Sequence, residues 1–485
     1  MVPRNRASRS SSGRSGRRSI AAAVAATFAL CAAPVAAQTT WTVDSCDEGN
    51  TGDPVAHTGT FRYAATHAAS GDTVDLSGLS CSTITLTTGK IHIPVDDLTI
   101  TGPAQALTID GKQNGTDRLI YHSGYGTLTL QHIGLSYGQY SGSLARGGCI
   151  ESYGNVTLDH VQVSQCTVQS ANYPYGGAIF AIGNVTLQSS TVSHSQVHGG
   201  SHTSWGGGVV ARGILHAENS TIDSNAVYVS DPAALPNVVG GGIFGTKIFL
   251  KNSTVSNNYA YGAAGIAAES AFAGDEYLRL ESSTVAGNHA GHFVGGIFAF
   301  TKSVAIYNST IALNVSQTGN NFYASGLAIA SSTGQPMAVV LKSSLIADNT
   351  ELVADPRGDG TLEYDLGIGD NVTIDAASGY NFIRRTTFAG IPADTITTSC
   401  PLLGSLRDNG GPTWTVALQS GSPALDAGSN PLNYLEDQRG TPADPGPPYP
   451  FARVSNGVPD IGAYESQHLD VIFVANFVGC VSILP

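Results

Sequence analysis

Basic residues are scarce in this chain. It has 23 Lys and Arg against 36 Asp and Glu, a formal net charge of −13, and only 12% of its residues are charged. Six of the arginines lie before position 20, so without them the formal charge becomes −19. So little positive charge argues against nucleic acid and anionic membranes as partners. It also disfavours acidic polysaccharides unless a divalent cation bridges the like charges.

Long apolar runs are missing beyond the N-terminus. The run at residues 20–33 follows the arginines and precedes the small residues Val35-Ala36-Ala37. This pattern predicts a signal peptide over residues 1–37 and a secreted or cell-surface protein whose mature chain starts at Gln38. The tail at 471–485 is apolar but too short to cross a bilayer, so we expect a final strand and no membrane span.

Cysteine is also rare, with seven in the chain. Cys31 lies in the predicted signal peptide, which leaves an even set of six for an oxidising compartment. No Cys-x-x-Cys spacing indicates zinc, and we expect no metal site. Six cysteines allow about fifteen connectivities, of which we favour Cys46–Cys81, Cys149–Cys166 and Cys400–Cys480.

A Gly-Gly-x-Ile/Val/Leu signal is what the chain has in abundance. It returns about every 30 residues, which marks a stacked repeat. The units begin at Gly147-Gly148-Cys149-Ile150, Gly176-Gly177-Ala178-Ile179, Gly206-Gly207-Gly208-Val209, Gly240-Gly241-Gly242-Ile243, Ala263-Ala264-Gly265-Ile266, Val294-Gly295-Gly296-Ile297 and Ala324-Ser325-Gly326-Leu327.

Three short apolar stretches recur in each unit. The second has apolar residues two positions apart, as in Val156 and Leu158, which share one face of a strand and point inward. Three strands per repeat predict an all-β, right-handed parallel β-helix whose interior is packed. An Asn recurs three positions beyond the third stretch, and this predicts a turn in which the side-chain amides of successive coils stack as a ladder. The ladder residues are Asn225, Asn258, Asn288, Asn314 and Asn349, with Cys166 and Ser195 in their place in the two earliest coils.

The ends of such a helix need covers, because they expose apolar surface and unpaired strand edges. Residues 60–69 read as a short helix that plugs the first coil. We therefore predict an N-terminal cap with first coils at 38–97, repeats at 98–350, a turn-rich region at 351–465 and a short apolar tail at 466–485.

Six ordered blocks near the C-terminus carry a resemblance to known proteins. The blocks lie at 378–383, 401–404, 408–413, 421–428, 437–440 and 460–465, the last reading Asp460-Ile461-Gly462-Ala463-Tyr464-Glu465. They resemble choice-of-anchor Q domain proteins, and the repeat resembles the pectin-lyase-like superfamily. The resemblance implies a secreted or surface-attached bacterial β-helix protein and brings no defined reaction with it.

Two rows of aromatic residues are the candidate carbohydrate-binding sites. Alternation along the first strand places Phe180, Phe244 and Phe298 on its outward face. Either the 351–465 region packs over these rings, or they line an open groove whose ring faces can stack on sugars. A second row lies in the loops after the Asn turn and includes Tyr228, Tyr259 and the candidates Tyr175, Trp205, Phe293 and Tyr323. Rings with polar edges suit sugar faces, although rings that shield the helix have the same pattern.

Catalysis has little support in the residues, and no catalytic residue is assigned. No carboxylates are seen to repeat across coils on one outward face. Asp355, Asp359 and Asp365 form a local acidic cluster that lacks the spacing of a calcium loop. We therefore expect no cofactor. Calcium is the one metal ion that this acidic cluster could bind.

The sequence predicts a non-catalytic interaction module directed at carbohydrate or cell-surface matrix. A polysaccharide lyase or glycoside hydrolase of the pectin-lyase-like group is the alternative. An adhesin whose partner is a protein is a third reading. The glycan, the anchoring and the oligomeric state are left open.

Overall fold

The computed structural model describes residues 37–48, 58–103, 106–112, 115, 117–200, 203–230, 238–269, 276–317, 324–352, 361–397, 399–441 and 450–467. The predicted signal peptide up to residue 36, Tyr323 and Cys480 lie outside these ranges. Among the described residues, no helix is long and apolar enough to cross a membrane.

Each coil of the chain lies directly on the previous one. Ile150 pairs in parallel register with Ile120 of the coil before and with Ile179 of the coil after. The same one-to-one pairing joins Leu158 to Leu130 and Leu187. The predicted parallel β-helix is confirmed, since equivalent residues of successive repeats stack throughout.

Sheet 1, the widest face, has 20 strands in the described residues. It holds both the first and the second predicted stretch of each repeat, which merge into single long strands at Val209–Glu218 and Ile243–Lys251. The other strands are Thr40–Thr42, Asp72–Asp75, Ile91–Ile93, Leu98–Thr101, Ile120–His122, Thr127–Gln131, Ile150–Ser152, Asn155–Asp159, Ile179–Ala181, Val185–Gln188, Ile266–Glu269, Tyr277–Glu281, Ile297–Thr301, Val304–Tyr307, Leu327–Ser331, Met337–Lys342, Leu366–Ile368 and Val372–Ile374.

Sheet 2 contains the third predicted stretch and has 11 strands in the part of the chain described. They are Thr83–Thr85, Thr108–Asp110, Gly134–Ser136, Gln162–Ser164, Thr191–Ser193, Thr221–Asp223, Thr254–Ser256, Thr284–Ala286, Thr310–Ala312, Leu345–Ala347 and Phe382–Ile383.

Sheet 3 follows the Asn turn, where we predicted loops, and has nine strands within the described ranges. Its strands are short, so the sequence gives them little periodicity. They are Gln139–Ser141, Thr167–Ser170, Gln196–Gly199, Ala226–Val229, Tyr259–Ala260, His289–Ala290, Val315–Ser316, Thr350–Leu352 and Thr361–Glu363. Two small pairs complete the structure, Ser204–Trp205 with Val238–Val239 and Leu403–Arg407 with Thr415–Leu418.

The inward residues form one continuous apolar core. It runs from Val43 to Ile383 and includes the fully buried Ile150, Leu158 and Ile179. The first coil is closed by the predicted helix, at Phe61–His67, whose N-cap Thr60 accepts a hydrogen bond from the Tyr63 amide. Phe61 is fully buried in the core, which confirms the predicted N-terminal cap.

The predicted asparagine ladder is present. Asn258 Nδ2 donates to Asn288 Oδ1 at 2.9 Å, and Asn288 Nδ2 donates to Asn314 Oδ1 at 2.9 Å. The left-handed residue of the turn is the one before the ladder position, as at Asn257 with φ 53°. The ladder side chains themselves point inward, where each amide also satisfies a buried backbone carbonyl.

The region that follows the last strand of sheet 2, Phe382–Ile383, covers this sheet. Leu403, Val416 and Ile461 pack on the outward side chains Ala286 and Ala312. Gln438 is fully buried and bonds through its amide to Thr254 and Thr284 of two neighbouring coils. The expectation that this region covers the Phe180–Phe298 face is wrong at Phe180 and Phe244, because their cluster includes, among the described residues, none beyond Phe298.

Two of the three predicted disulfides are present, Cys46–Cys81 and Cys149–Cys166. The first ties the cap to an early coil. The second lies inside the core, where both cysteines are fully buried. Cys480 is outside the described residues, so its pairing with Cys400 stays a prediction.

Candidate functional site

The aromatic face of sheet 1 is closed by rings from the corner that precedes it. Trp205 stacks on Phe244 with ring centroids 4.3 Å apart and planes 7° apart, and Tyr175 stacks on Trp205 at 4.9 Å. Phe244 is fully buried and Phe180 is 2% exposed. The predicted open groove is therefore wrong at Phe180 and Phe244, whose ring faces are already occupied.

The other predicted binding residues are less enclosed. Phe298 is half-buried and lies parallel to the exposed Phe300, with ring centroids 6.5 Å apart. Phe293 is half-buried and meets His292 edge to face at 4.3 Å. Phe298 packs, together with Tyr175 and Trp205, against the small cluster that contains Phe180 and Phe244.

A separate row of rings crosses the outer face of sheet 3. The centroid of His198 lies 5.5 Å from that of Tyr228, which lies 5.4 Å from Tyr259, and both pairs are stacked. His289 meets Tyr259 edge to face at 5.8 Å. We call His198, Tyr228, Tyr259 and His289 the ring ladder. It has one ring on each of four successive coils, which are about 4.8 Å apart.

The ring ladder runs obliquely across the sheet. His198 and Tyr228 are paired in register near the ends of their strands. Tyr259 is paired with Ala226 instead, two residues earlier in the strand, and His289 continues from there. The rings thus present their edges, with hydroxyl and imidazole groups, along a line from the strand ends toward the Asn turn.

A depression of about 420 Å³ lies at the strand end of the ring ladder. Three neighbouring coils line it, through Gln169, His198 and Tyr228 and the residues that follow each of them. Tyr228 is 41% exposed. Behind the sheet, Val197, Val227 and Val238 form a small apolar core that holds the strands in place.

The ring ladder and the depression are uncharged. Neither the ladder nor the depression's lining includes Lys, Arg, Asp or Glu. Burial lowers the pKa of His198, so its imidazole is neutral at pH 7, and its Nε2 lies 3.0 Å from Gln196 Oε1. Burial likewise raises the pKa of Tyr259, whose hydroxyl therefore stays protonated.

Charged residues repeat instead on the outer face of sheet 1. Glu218, Lys251 and Glu281 occupy the same strand position in three successive coils, and Lys251 Nζ lies 2.7 Å from Glu218. Lys251 separates the two carboxylates of this row, so they do not lie on adjacent coils. In the sequence, this row consists of the charged residue that directly follows each inward pair of the second stretch, as at Leu280-Glu281.

Tyr434 of the C-terminal region lies over this charged row. Its hydroxyl donates to Glu281, and the Lys251 ammonium is 5.8 Å from its ring centroid. Burial and the hydrogen bond to Glu281 raise the pKa of Tyr434 far above its ordinary value. Through these contacts, the charged row helps to hold Tyr434 and the C-terminal region around it against sheet 1.

Two carboxyl groups of sheet 1 have perturbed environments. Burial raises the pKa of Glu269 to about 7, although the residue keeps some solvent exposure. Burial also raises the pKa of Glu151, against the attraction of Arg118, whose Nη1 lies 2.6 Å from it. Glu269 is paired in register with the exposed Phe300.

The acidic cluster considered for calcium has a different role where it is described. Asp365 is fully buried and accepts hydrogen bonds from Asn349 N and Nδ2, both at 2.9 Å, so it ends the asparagine ladder. Asp355 and Asp359 lie outside the described residues. Within the described residues, no group of three His, Cys, Asp or Glu is placed to hold a metal ion.

The fold and these surfaces define a parallel β-helix protein with an uncharged row of aromatic rings on one face. No protein-family model matches the chain, and no curated protein matches it. Among solved structures, "Crystal structure of pectate lyase Pel9A" is similar at a TM-score of 0.46 and 14% identity, covering 90% of this chain and 98% of that one. A likeness this distant says nothing about activity.

Proposed function

We propose that this protein is an exported, non-catalytic interaction module that binds carbohydrate through aromatic rings on the outside of its coils. The observation that carries the proposal is the ring ladder, whose four rings cross a sheet face, with His198, Tyr228 and Tyr259 stacked and His289 edge to face. Tyr228 is 41% exposed. Polar ring edges on a rigid scaffold suit an extended chain of sugar units. Two disulfides support export to an oxidising compartment.

The half-buried Tyr175 and Trp205 are a secondary part of this proposal. Their main contacts are with each other and with Phe244, so their first role is to cover sheet 1. Both side chains keep some solvent exposure and are therefore candidates for a separate sugar contact. Phe293 and Phe298 are kept as peripheral candidates.

The experiment is a binding panel with the mature protein, residues 38–485, on immobilised neutral and acidic polysaccharides. It is run with and without calcium, which tests the proposed bridging role of that ion. Reducing ends and unsaturated products are measured in the same samples. Retention without product supports the interaction module, whereas failure to retain any member of the panel overturns it.

Polysaccharide cleavage is the second candidate function, and Glu269 favours it. A solvent-accessible carboxyl group with a pKa of about 7 is suited to donate a proton to a leaving glycosidic oxygen. Glu276 is buried at the start of the second strand of the same coil and lies 3.5 Å from Lys302 Nζ. A cleaving enzyme would lose product formation in Glu269→Gln while retaining its substrate.

Surface attachment and the relationship to choice-of-anchor Q proteins remain part of the proposal. The C-terminal blocks that carry the resemblance form the cover of sheet 2, where Asp437 and Arg439 pair at 2.7 Å. This role accounts for the turns and ion pairs of the blocks without a catalytic function. Fractionation of the native cells, followed by detection of the mature chain in the medium or on the surface, tests the attachment.

A further inference from the structure

The depression at the strand end of the ring ladder has a shape and chemistry of its own. It holds about 420 Å³, and residues of three adjacent coils line it. Tyr228 and His198 belong to both the depression and the ring ladder. A ligand in the depression therefore lies in contact with the first two rings of the row.

Two positions in the lining of the depression leave no room for a side chain. A side chain at Gly199 would overlap the Ser204 hydroxyl, and one at Gly200 would overlap the Ala171 carbonyl. The lining at these positions is therefore bare backbone. Bare backbone lets the ring atoms of a ligand come close to peptide groups, as polar binding sites require.

The remaining groups are neutral donors and acceptors. Gln169 contributes an amide, Ser230 a hydroxyl and Tyr228 a phenol, and all three residues are exposed. The imidazole of His198 is held beside Gln196 rather than beside a carboxylate. None of the described lining residues is a Lys or Arg that could pair with a uronate or sulfate, and the chain has a formal net charge of −13.

We propose that this depression is a subsite for one uncharged sugar unit, and that the ring ladder holds the following units of the same neutral glycan. This inference rests on the proposed carbohydrate-binding function and names its ligand class and its site. The oblique course of the ladder sets the direction in which the bound chain leaves the depression.

The test is affinity electrophoresis of the mature protein through gels that contain hydroxyethylcellulose, galactomannan or polygalacturonate. We expect retardation by at least one neutral polymer and none by polygalacturonate. Tyr228→Ala and Gln169→Ala remove groups of the subsite, and Tyr228→Phe keeps the ring. Tyr125→Ala, at a tyrosine that is 77% exposed on another part of the chain, is the matched control.

The expected loss of affinity is roughly 3- to 10-fold for Tyr228→Ala, the size of one aromatic contact. Tyr228→Phe keeps the ring but loses the phenol hydroxyl, so its affinity should lie between those of the wild type and Tyr228→Ala. Tyr125→Ala should bind like the wild type. Stronger retention by polygalacturonate, or an equal loss in Tyr125→Ala, overturns the inference. If Trp205→Ala weakens binding and the Tyr228 and Gln169 variants do not, the subsite is wrong while the proposed function stands. No retardation of the wild type by any polymer overturns both.

Discussion

The indole of Trp205 lies flat on the ring of Phe244, with centroids 4.3 Å apart. The two residues belong to successive coils, and the contact turns an apolar strip of sheet 1 into a second small core that includes Phe180 and Val210. The outward-facing Phe244 is therefore covered by a ring from the coil before it. This relationship is testable through stability.

Replacing Trp205 by Ala should lower the free energy of unfolding by about 2–4 kcal/mol, because a large ring contact is lost and Phe244 becomes exposed. Thermal and urea unfolding of the purified protein measure it. Tyr125→Ala, on a largely exposed side chain, should change the free energy by less than about 0.5 kcal/mol. Equal stability of the two variants would show that the Trp205 contact contributes nothing.

Replacing Asn288 by Ala should cost at least about 2–3 kcal/mol of stability. Its Oδ1 accepts from the amide nitrogen and the side chain of Asn258, at 3.0 and 2.9 Å, and both donors are buried. Asn172→Ala, on an exposed side chain, is the matched control and should be neutral. Circular dichroism during heating follows both variants, and a neutral Asn288 variant would contradict the ladder's energetic role.

The stability of the protein should fall as the pH rises from about 4.5 to about 7, in part through Glu269. The pKa of Glu269 is about 7 in the folded protein and about 4.5 in its ordinary state, so the unfolded chain loses its proton first. Within that window one such group changes the free energy by about 1.4 kcal/mol per pH unit. Glu269→Gln should be more stable than the wild type at pH 8, because the variant has no carboxylate to bury. At pH 4 the wild-type carboxyl is protonated, so the variant should show no such gain.

The same sign holds for Glu465, whose pKa burial raises to about 7. Its carboxylate accepts hydrogen bonds from the backbone amides of Ser455 and Asp460, so substitution there also breaks packing. Glu269 is the cleaner test, because burial alone shifts its pKa. If the Glu269→Gln difference were the same at pH 4 and pH 8, ionisation would not be its cause.

Replacing Gln438 by Ala should loosen the C-terminal cover of sheet 2. The buried hydroxyls of Thr254 and Thr284 lose a partner, with an expected cost of about 1–3 kcal/mol each. Limited proteolysis should then cut the region after Ile383 faster than in the wild type. Gln467→Ala, which removes an amide that donates to the carbonyls of Ala452 and Glu465, is a milder comparison. Equal cleavage rates would contradict a role of Gln438 in holding the cover.

The repeat is the part of the structure that could be predicted. Inward residues such as Ile179 and Leu187, the asparagine ladder and the cap at Phe61–His67 all follow from periodicity and local turn chemistry. Periodicity predicts them because each coil meets only its neighbours. Sheet 3 was missed, since strands of two to four residues give too few alternations to recognise.

The site was predicted less well. Tyr228 and Tyr259 were in the predicted aromatic row, but the row divides between two faces, because the residues after the Asn turn form strands instead of one loop. Phe180 and Phe244 were correctly placed outside the main core. Their exposure was wrong, because alternation says which way a side chain points and does not say what lies over it.

The amino-acid sequence by itself determined the coil, its inward face, its capping helix and two of its disulfides, all of which depend on residues close in sequence or one repeat apart. The tertiary structure alone decided which rings stay accessible. Thr254 bonds to the Trp414 carbonyl across 160 positions, and such long-range contacts choose the covered face. They depend on the shape complementarity of surfaces that no local pattern describes. The ring ladder stays open because, among the described residues, the cover packs on sheet 2 instead.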